Sequence, residues 1–358
     1  MTGAMYAGIS GLKSHMNKLN VIGNNIANVN TYGYKTARTT FREAIYTTMT
    51  AGSDGTDLVG GTNPSQIGYG CNIGTIDLDM SNGPAVPTGV NLDCMIQGDG
   101  FFMVGDKSGV KPENLDSLNL TKVGNFHFDD DGFLVDGNGQ VVYGFLTSGV
   151  QAGTTQGDAG AKEGITSTQL VPIRLPLAAL KDDDAKGIKA GDPIYPGINA
   201  DGTNKQPEAD VADPNKTVAV NVDSIAVDKT GKITATTENN KVITVGYIAL
   251  GKVENPAGLT HLDGPYYQAL SGAGDLAVTT AGGAVSGCLN NQDPQQNQNA
   301  VRIVGSDNSL LSGFLEGSGT DLATEFSEMI TTQRGYQANT RIVTVTDSML
   351  EELVNMKR

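Results

Sequence analysis

Two long helical patterns at opposite ends of one chain constrain its fold more than any other feature. Met5, Ile9, Leu12, Met16, Leu19, Gly23 and Ile26 follow alternating steps of four and three, and six of these seven are apolar. That spacing sets them on one stripe of a helix, as in a coiled-coil seam. The stripe ends in Asn28-Val29-Asn30-Thr31-Tyr32-Gly33, where Asn and Gly accept left-handed backbone and stop a helix. Near the other end the same steps join positions 322, 326, 329, 333, 336, 340, 343, 347, 350 and 354. Leu322, Phe326, Met329, Tyr336, Val343, Leu350 and Val354 make seven of these ten apolar. Asp321 is the expected N-cap, and Gly335 is the only helix breaker that follows. The two stripes are expected to pair with each other or with other copies of the chain.

Between them the chain reads as β structure. Gly100–Val104, Phe126–Phe128, Phe133–Val135 and Gln140–Phe145 are short and rich in aromatic and β-branched residues. Asp129–Gly132 and Gly137-Asn138-Gly139 separate them with turn chemistry. A second set comprises Thr217–Val222, Ile225–Val227, Ile233–Thr237 and Val242–Leu250. Residues 147–215 hold six of the 13 prolines and a single aromatic, Tyr195, so they bury little and read as a small outer insert. Residues 271–300 read as a Gly-, Ala- and Gln-rich connection. The expected fold class is mainly β with terminal α-helices, in discontinuous layers. Residues 1–32 with 320–358 form a helical inner domain, 33–146 with 216–319 a β domain, and 147–215 the insert.

Charge and chemistry narrow the function. The 39 acidic and 24 basic residues leave a net charge of −15, which argues against nucleic acid, whose binding needs clustered Lys and Arg. Glycine supplies 47 of 358 residues, nearly twice the ~7% usual, and Trp is absent. No apolar run is long enough to span a bilayer, and the first residues lack the basic start and apolar block of a secretory signal. The three cysteines (Cys71, Cys94, Cys288) are too few for a disulfide scaffold and badly spaced for zinc. His15, His127 and His261 are scattered, with His127 on the solvent side of its strand. Asp129-Asp130-Asp131-Gly132 fails as a calcium loop, because the flanking ligand positions fall on His127 and Asn138. Neither P-loop nor nucleophile elbow is present. No catalytic residue, metal site or cofactor is expected. A secreted adhesin would share the β middle but needs no helical stripes at both ends, and a β-rich hydrolase needs a catalytic carboxylate pair or triad.

Asn24-Asn25-Ile26-Ala27-Asn28-Val29-Asn30-Thr31-Tyr32-Gly33-Tyr34-Lys35 resembles the N-terminal motif of the bacterial flagellar rod and hook proteins. Leu322–Phe326 and Gln333-Arg334-Gly335-Tyr336-Gln337-Ala338-Asn339 resemble the matching C-terminal motif. Met95–Val104, Val123–Phe126 and Gly246–Leu250 with Asn255–Leu259 also fit the family. Within it, Met5–Leu12 and Val21–Asn25 resemble the hook branch, with the distal rod protein as the alternative. The resemblance implies a self-assembling structural subunit of the bacterial flagellum, exported by the type III apparatus without cleavage and polymerised into the bendable tube that carries torque from rod to filament. It implies partners in the chain itself, the distal rod protein, the hook cap, the hook–filament junction protein and the export apparatus. The assembly residues it implies are Met5, Ile9, Leu12, Met16, Leu19, Asn24, Asn25, Ile26, Asn28, Gly33, Leu322, Phe326, Met329, Gln333, Arg334, Tyr336, Asn339, Val343, Leu350 and Val354.

Overall fold

The computed structural model describes residues 2–54, 60–107, 115, 117–146, 170–178, 190, 193–194, 220–238, 242–270, 272–283, 303–304 and 307–356. The described chain is mostly β with one long helix at each end, α1 (Thr2–Ala27) and α2 (Leu322–Met356). It divides into two units, residues 1–81 with 318–358 and residues 82–317. Most of the expected insert (147–215), most of 271–300, Cys288 and the first part of the strand expected at Thr217–Val222 lie outside the described residues.

In the first unit α1 and α2 pack side by side, antiparallel. Gly8 lies against Ile342 and Val343, Gly11 against Asn339, and Gly335 against the His15 ring. A Cβ at Gly11 would stand 2.8 Å from Asn339 Nδ2, and one at Gly335 2.8 Å from His15 Cε1. Glycine is therefore what lets the two backbones approach. Lys18 Nζ pairs with Glu328 Oε2 at 3.0 Å farther along the same seam. The paired side of α2 runs Glu325, Met329, Thr332, Tyr336, Asn339, Val343 and Thr346, all buried or half-buried, in steps of four and three.

The helices pair, but not through the stripe expected on α1. That stripe sits one position round the helix from the seam, and Ile9 and Met16 are 37% and 46% exposed. The reason is steric: a helix pair this close needs small residues at the contact, and the apolar count passes over Gly8, Gly11 and Ser14.

The remainder of this unit is a two-stranded ribbon. Ala37–Glu43 pairs antiparallel with Cys71–Leu78, and Tyr46–Thr50 with Ser65–Gly68. Ser14 Oγ donates to the Cys71 carbonyl at 3.1 Å and Ser10 Oγ to the Tyr69 carbonyl at 3.3 Å, fixing the ribbon to α1. The sequence pattern assigned 33–81 to the β domain; by contacts these residues belong with the helices, so the boundary falls at 81/82.

The second unit is a largely antiparallel sheet built around the strand Val242–Val253. That strand pairs with Lys232–Thr237, Val141–Leu146, Phe101–Gly105 and Leu276–Thr280 along its length. Its core contains Phe102, Val142, Leu134, Ile248 and Leu250, all fully buried, with Phe102 and Phe126 edge to face at 4.9 Å. The expected turns are present. Asp136 Oδ1 accepts from the Asn138 and Gln140 amides at 3.0 and 2.9 Å, and Gly139 takes φ 83°. Asp129 and Asp131 of the acidic turn share Lys107 Nζ at 2.7 and 2.9 Å.

Gly11→Leu should force the helices apart and destabilise the first unit by about 1–3 kcal/mol. Gly23, on the same helix, has nothing within 4 Å of a built Cβ. Gly23→Ala should therefore stabilise by about 0.5–1 kcal/mol. Thermal melting of the helical circular dichroism signal separates the two, and equal shifts in the same direction would contradict the close-packed seam.

Candidate functional site

The best-connected polar site of the first unit lies where α1 ends. Asn25 is 1% exposed and uses its whole amide. Nδ2 donates to Glu325 Oε1 and to the Ala37 carbonyl, both at 2.9 Å. Oδ1 accepts from the Ala37 amide at 3.1 Å and from the Tyr34 hydroxyl at 3.0 Å. Asn24 Nδ2 in turn donates to the Tyr34 oxygen at 3.3 Å. One side chain thus joins α1, the first strand and α2.

The neighbouring motif residues make that geometry possible. Asn28 closes the helix, its amide nitrogen bonding the Asn24 carbonyl and its Nδ2 donating to the same oxygen at 3.0 Å. Thr31 Oγ1 donates to Asn28 Oδ1 at 3.1 Å, and Gly33 at φ 69° turns the chain back towards the helix. Lys35 is 2% exposed, and its Nζ reaches the Ser81 carbonyl at 2.7 Å. The Gly319 amide donates to the Tyr34 carbonyl at 3.2 Å, which ties the entry to α2. Asp321 then caps α2, Oδ1 accepting from the Ala323 amide at 3.1 Å and Oδ2 from Thr324 Oγ1 at 2.6 Å. Burial raises the Glu325 carboxyl above its ordinary value, and burial with the nearby Glu325 charge raises the Tyr34 phenol.

The residues singled out in the sequence fall into three groups. Asn24, Asn25, Asn28 and Gly33 make or shape this polar hub. Met329, Tyr336, Asn339 and Val343 lie half-buried on the α1-facing side of α2, while Met5, Leu12, Leu19 and Ile26 are half-buried on α1. Ile9, Met16, Leu322, Phe326, Gln333, Arg334, Leu350 and Val354 are exposed. Phe326 is 49% exposed and Val354 68%, and Ile330, Val345 and Met349 add further apolar area to α2. Sequence reasoning passed over Gly8, Gly11, Ser14, Tyr34, Lys35 and Glu325 as working residues. The readable signal for Glu325 was its place in the first turn of α2, where a carboxylate suits the helix N-terminus.

The His15 ring packs at a tilt against Phe41 at 5.6 Å with its buried Nδ1 making no hydrogen bond, and His261 meets Tyr267 edge to face at 5.0 Å, while His127 is exposed on its strand. The Cys94 thiol is pushed up to about 12, by burial first and the Asp93 charge second, so it is inert at neutral pH. A cleft of about 420 Å³ beside the hub is lined by Asp77, Asp321, Glu325, Glu328, Lys18 and Arg38. Within it Lys18 pairs with Glu328 at 3.0 Å and Arg38 with Asp77 at 4.0 Å.

Three family models match the chain. They are the flagella basal body rod protein over residues 5–35, the flagellar hook protein FlgE/F/G D1 domain over 95–179, and the flagellar basal body rod FlgEFG protein C-terminal over 311–356. The flagellar basal-body rod protein FlgG of Bacillus subtilis is 30% identical over 358 residues, covering 100% of each chain. The flagellar hook protein FlgE of Borreliella burgdorferi is 27% identical over 470 aligned residues, again covering 100% of each. The hook protein FlgE of Escherichia coli is 25% identical, covering 98% of each. A solved Helicobacter pylori hook protein, FlgE2, superposes with a TM-score of 0.36 at 13% identity over 64% of this chain and 100% of that one, too loosely to carry an argument.

The hub yields two expected outcomes. Asn25→Ala leaves the Ala37 backbone groups and Glu325 without their partner, and should cost about 2–4 kcal/mol, read as faster amide exchange at Ala37 and along α1. Full protection at Ala37 in that variant would contradict the hub. For Glu325, the folded pKa lies above the unfolded value near 4.5, so the folded chain holds that proton more tightly. Its ionisation therefore costs stability as pH rises through the raised value, and the cost disappears as pH falls to 4.5. Glu325→Gln should be at least as stable as the native chain at neutral pH and lose that advantage on acidification. Chemical denaturation across this range checks the sign, and a variant less stable at neutral pH than at acid pH, relative to the native chain, would reverse it.

Proposed function

The chain belongs to the flagellar rod and hook protein family, and we propose that within it this protein is the hook subunit, polymerising into the bendable tube between rod and filament. Members of this family are structural subunits of the flagellum, and this chain is one of them. The observation that carries the polymer reading is the exposed apolar surface on the two terminal helices. Tyr6, Ile9 and Met16 on α1, and Phe326, Ile330, Val345, Met349, Leu350 and Val354 on α2, are all at least 37% exposed. A soluble monomer rarely leaves so many large apolar groups exposed on two helices, and such a surface marks a protein contact.

The energetics fit repeated copies. Completing the burial of the six α2 side chains gives about 5–9 kcal/mol per subunit at roughly half the 1.5–3 kcal/mol of full burial. Association costs an estimated 4–15 kcal/mol in lost freedom, so a single pairwise contact is marginal and several neighbours at once are needed. The net charge of −15 opposes close approach and should make assembly salt-dependent. The partners proposed with this reading are other copies, the distal rod protein, the hook cap, the hook–filament junction protein and the export apparatus.

Relatives named as hook proteins, aligned over essentially the whole chain, favour the hook. The distal rod is the second reading, favoured by the rod protein that aligns at 30% identity over 358 residues. Electron microscopy of the assembled protein separates them, since a hook gives curved tubes and a rod straight ones. Deletion of residues 321–358, or Leu350→Asp, should abolish pelleting of polymer while the second unit keeps its β circular dichroism. A truncation that still pellets as tubes would remove the helices from the assembly contact.

A further inference from the structure

The sequence contains two Asn-Gly pairs, Asn82-Gly83 and Asn138-Gly139, and the fold surrounds them differently. An Asn before Gly is where the next backbone nitrogen attacks the side-chain amide with least hindrance, because glycine has no Cβ. The Gly139 amide donates to the Asp136 backbone carbonyl at 3.0 Å, within a tight turn. The Gly83 amide instead donates to a carboxylate, Glu316 Oε1, at 2.7 Å. Glu316 is 1% exposed and ends the strand Phe314–Glu316, which pairs with Ala85–Pro87, so its carboxylate is fixed in place. Glycine is required at 83 for packing as well, since a Cβ there would overlap the Gly317 carbonyl oxygen.

The side chain that would be attacked is also held. With both of its amide atoms paired, Asn82 Oδ1 accepts from the Gly98 amide at 2.9 Å and Nδ2 donates to the Gly98 carbonyl at 3.3 Å. Lys122 Nζ then lies 3.5 Å from that amide nitrogen, and Lys122 is 2% exposed. Turned the other way, the amide sets its oxygen towards Lys122 Nζ, so a donor meets the carbonyl oxygen in either orientation. Asn82 itself is exposed, which gives water access to it. Asn82, Gly83, Gly98, Lys122 and Glu316 all belong to the second unit.

We propose that Asn82-Gly83 is a self-modifying site, at which the chain converts Asn82 to aspartate or isoaspartate through a cyclic imide. The Gly83 nitrogen gives its proton to Glu316 and forms a bond to Asn82 Cγ, while the Gly98 amide stabilises the oxyanion. The Cγ–Nδ2 bond then breaks, and ammonia leaves with a proton from Lys122. Water opens the five-membered imide at either carbonyl, and Glu316 and Lys122 exchange their protons with solvent. The attack is intramolecular, so the reacting atoms have little orientation to find. Removing the amide proton is the harder part, and a base at hydrogen-bond distance accelerates such a step by about 10²–10⁴-fold. Either product places a new carboxylate beside the Lys122 ammonium, so each copy gains one negative charge as it ages. The inference stands independently of the polymer reading.

The test is incubation of the purified full-length chain at neutral pH, folded and in urea. Peptide mass spectrometry reads amide loss at both sites, and enzymatic methyl transfer reads isoaspartate. In urea the two sites should convert at similar rates, because the surroundings of each are gone. In the folded chain Asn82 should convert about tenfold or more faster than Asn138, and faster than it does in urea. Glu316→Gln keeps an acceptor for the Gly83 amide but removes the base. It should slow Asn82 about tenfold or more and leave Asn138 within about twofold of its native rate. The site is overturned if folded Asn82 converts no faster than in urea, which would make the Glu316 contact merely protective. It is also overturned if Glu316→Gln, with its β circular dichroism intact, leaves the Asn82 rate unchanged. The urea comparison uses the native chain and decides the matter even if the variant unfolds.

Discussion

The first unit depends on the close pairing of two helices that lie three hundred residues apart in sequence. Asn25 and Glu325 bond across that separation at 2.9 Å, and Gly8, Gly11 and Gly335 let the backbones meet. The contact is polar where the chain turns and small where the helices cross. It needs little apolar area, so most of the apolar side chains on α1 and α2 are left to point elsewhere. A seam rich in Leu would have consumed the surface that a polymer uses. Here the intramolecular contact is specified by sterics and hydrogen bonds, and the apolar faces remain free.

The polar hub also explains why the Asn-rich turn has its composition. Asn25 can serve α2 and the first strand at once only if the chain reverses within a few residues of the helix end. Asn28 and Thr31 satisfy the freed helix carbonyls and each other, and Gly33 supplies the positive φ that a larger residue would resist. Tyr34 then returns to the amide it must saturate. A buried amide with all its donors and acceptors engaged specifies one arrangement, because each alternative leaves a buried group unpaired. The second unit is held differently, by aromatic and aliphatic packing across an antiparallel sheet with the Phe102–Phe126 pair at its centre.

Much of this was legible in the sequence. The strands at Phe101–Gly105, Phe126–Phe128 and Val141–Leu146, the stop after Ala27 and the Asp321 cap follow from alternation, turn residues and capping chemistry. The terminal motifs led to the family. What pattern reading could not place was the seam. Counting apolar positions finds the stripe that a helix offers to the most apolar partner, and on α1 that stripe is one position away from the Gly8–Gly11 side that meets α2. The ribbon at 37–78 escaped for a related reason. Every residue of Tyr46–Thr50 is exposed, so neither face carries the alternation that marks a half-buried strand. Both misplacements concern surface that a single copy of the chain leaves uncovered.

The central claim is that each copy pairs its own helices through the Asn25 hub and presents the outer faces to its neighbours. An electron cryo-microscopy reconstruction of the assembled tube, at a resolution that separates side chains, tests it most directly. The account predicts Asn25 bonded to Glu325 within one subunit, with Phe326 and Ile330 buried against another. A tube in which α1 of one copy pairs with α2 of the next, or in which Phe326 and Ile330 face solvent, would contradict it.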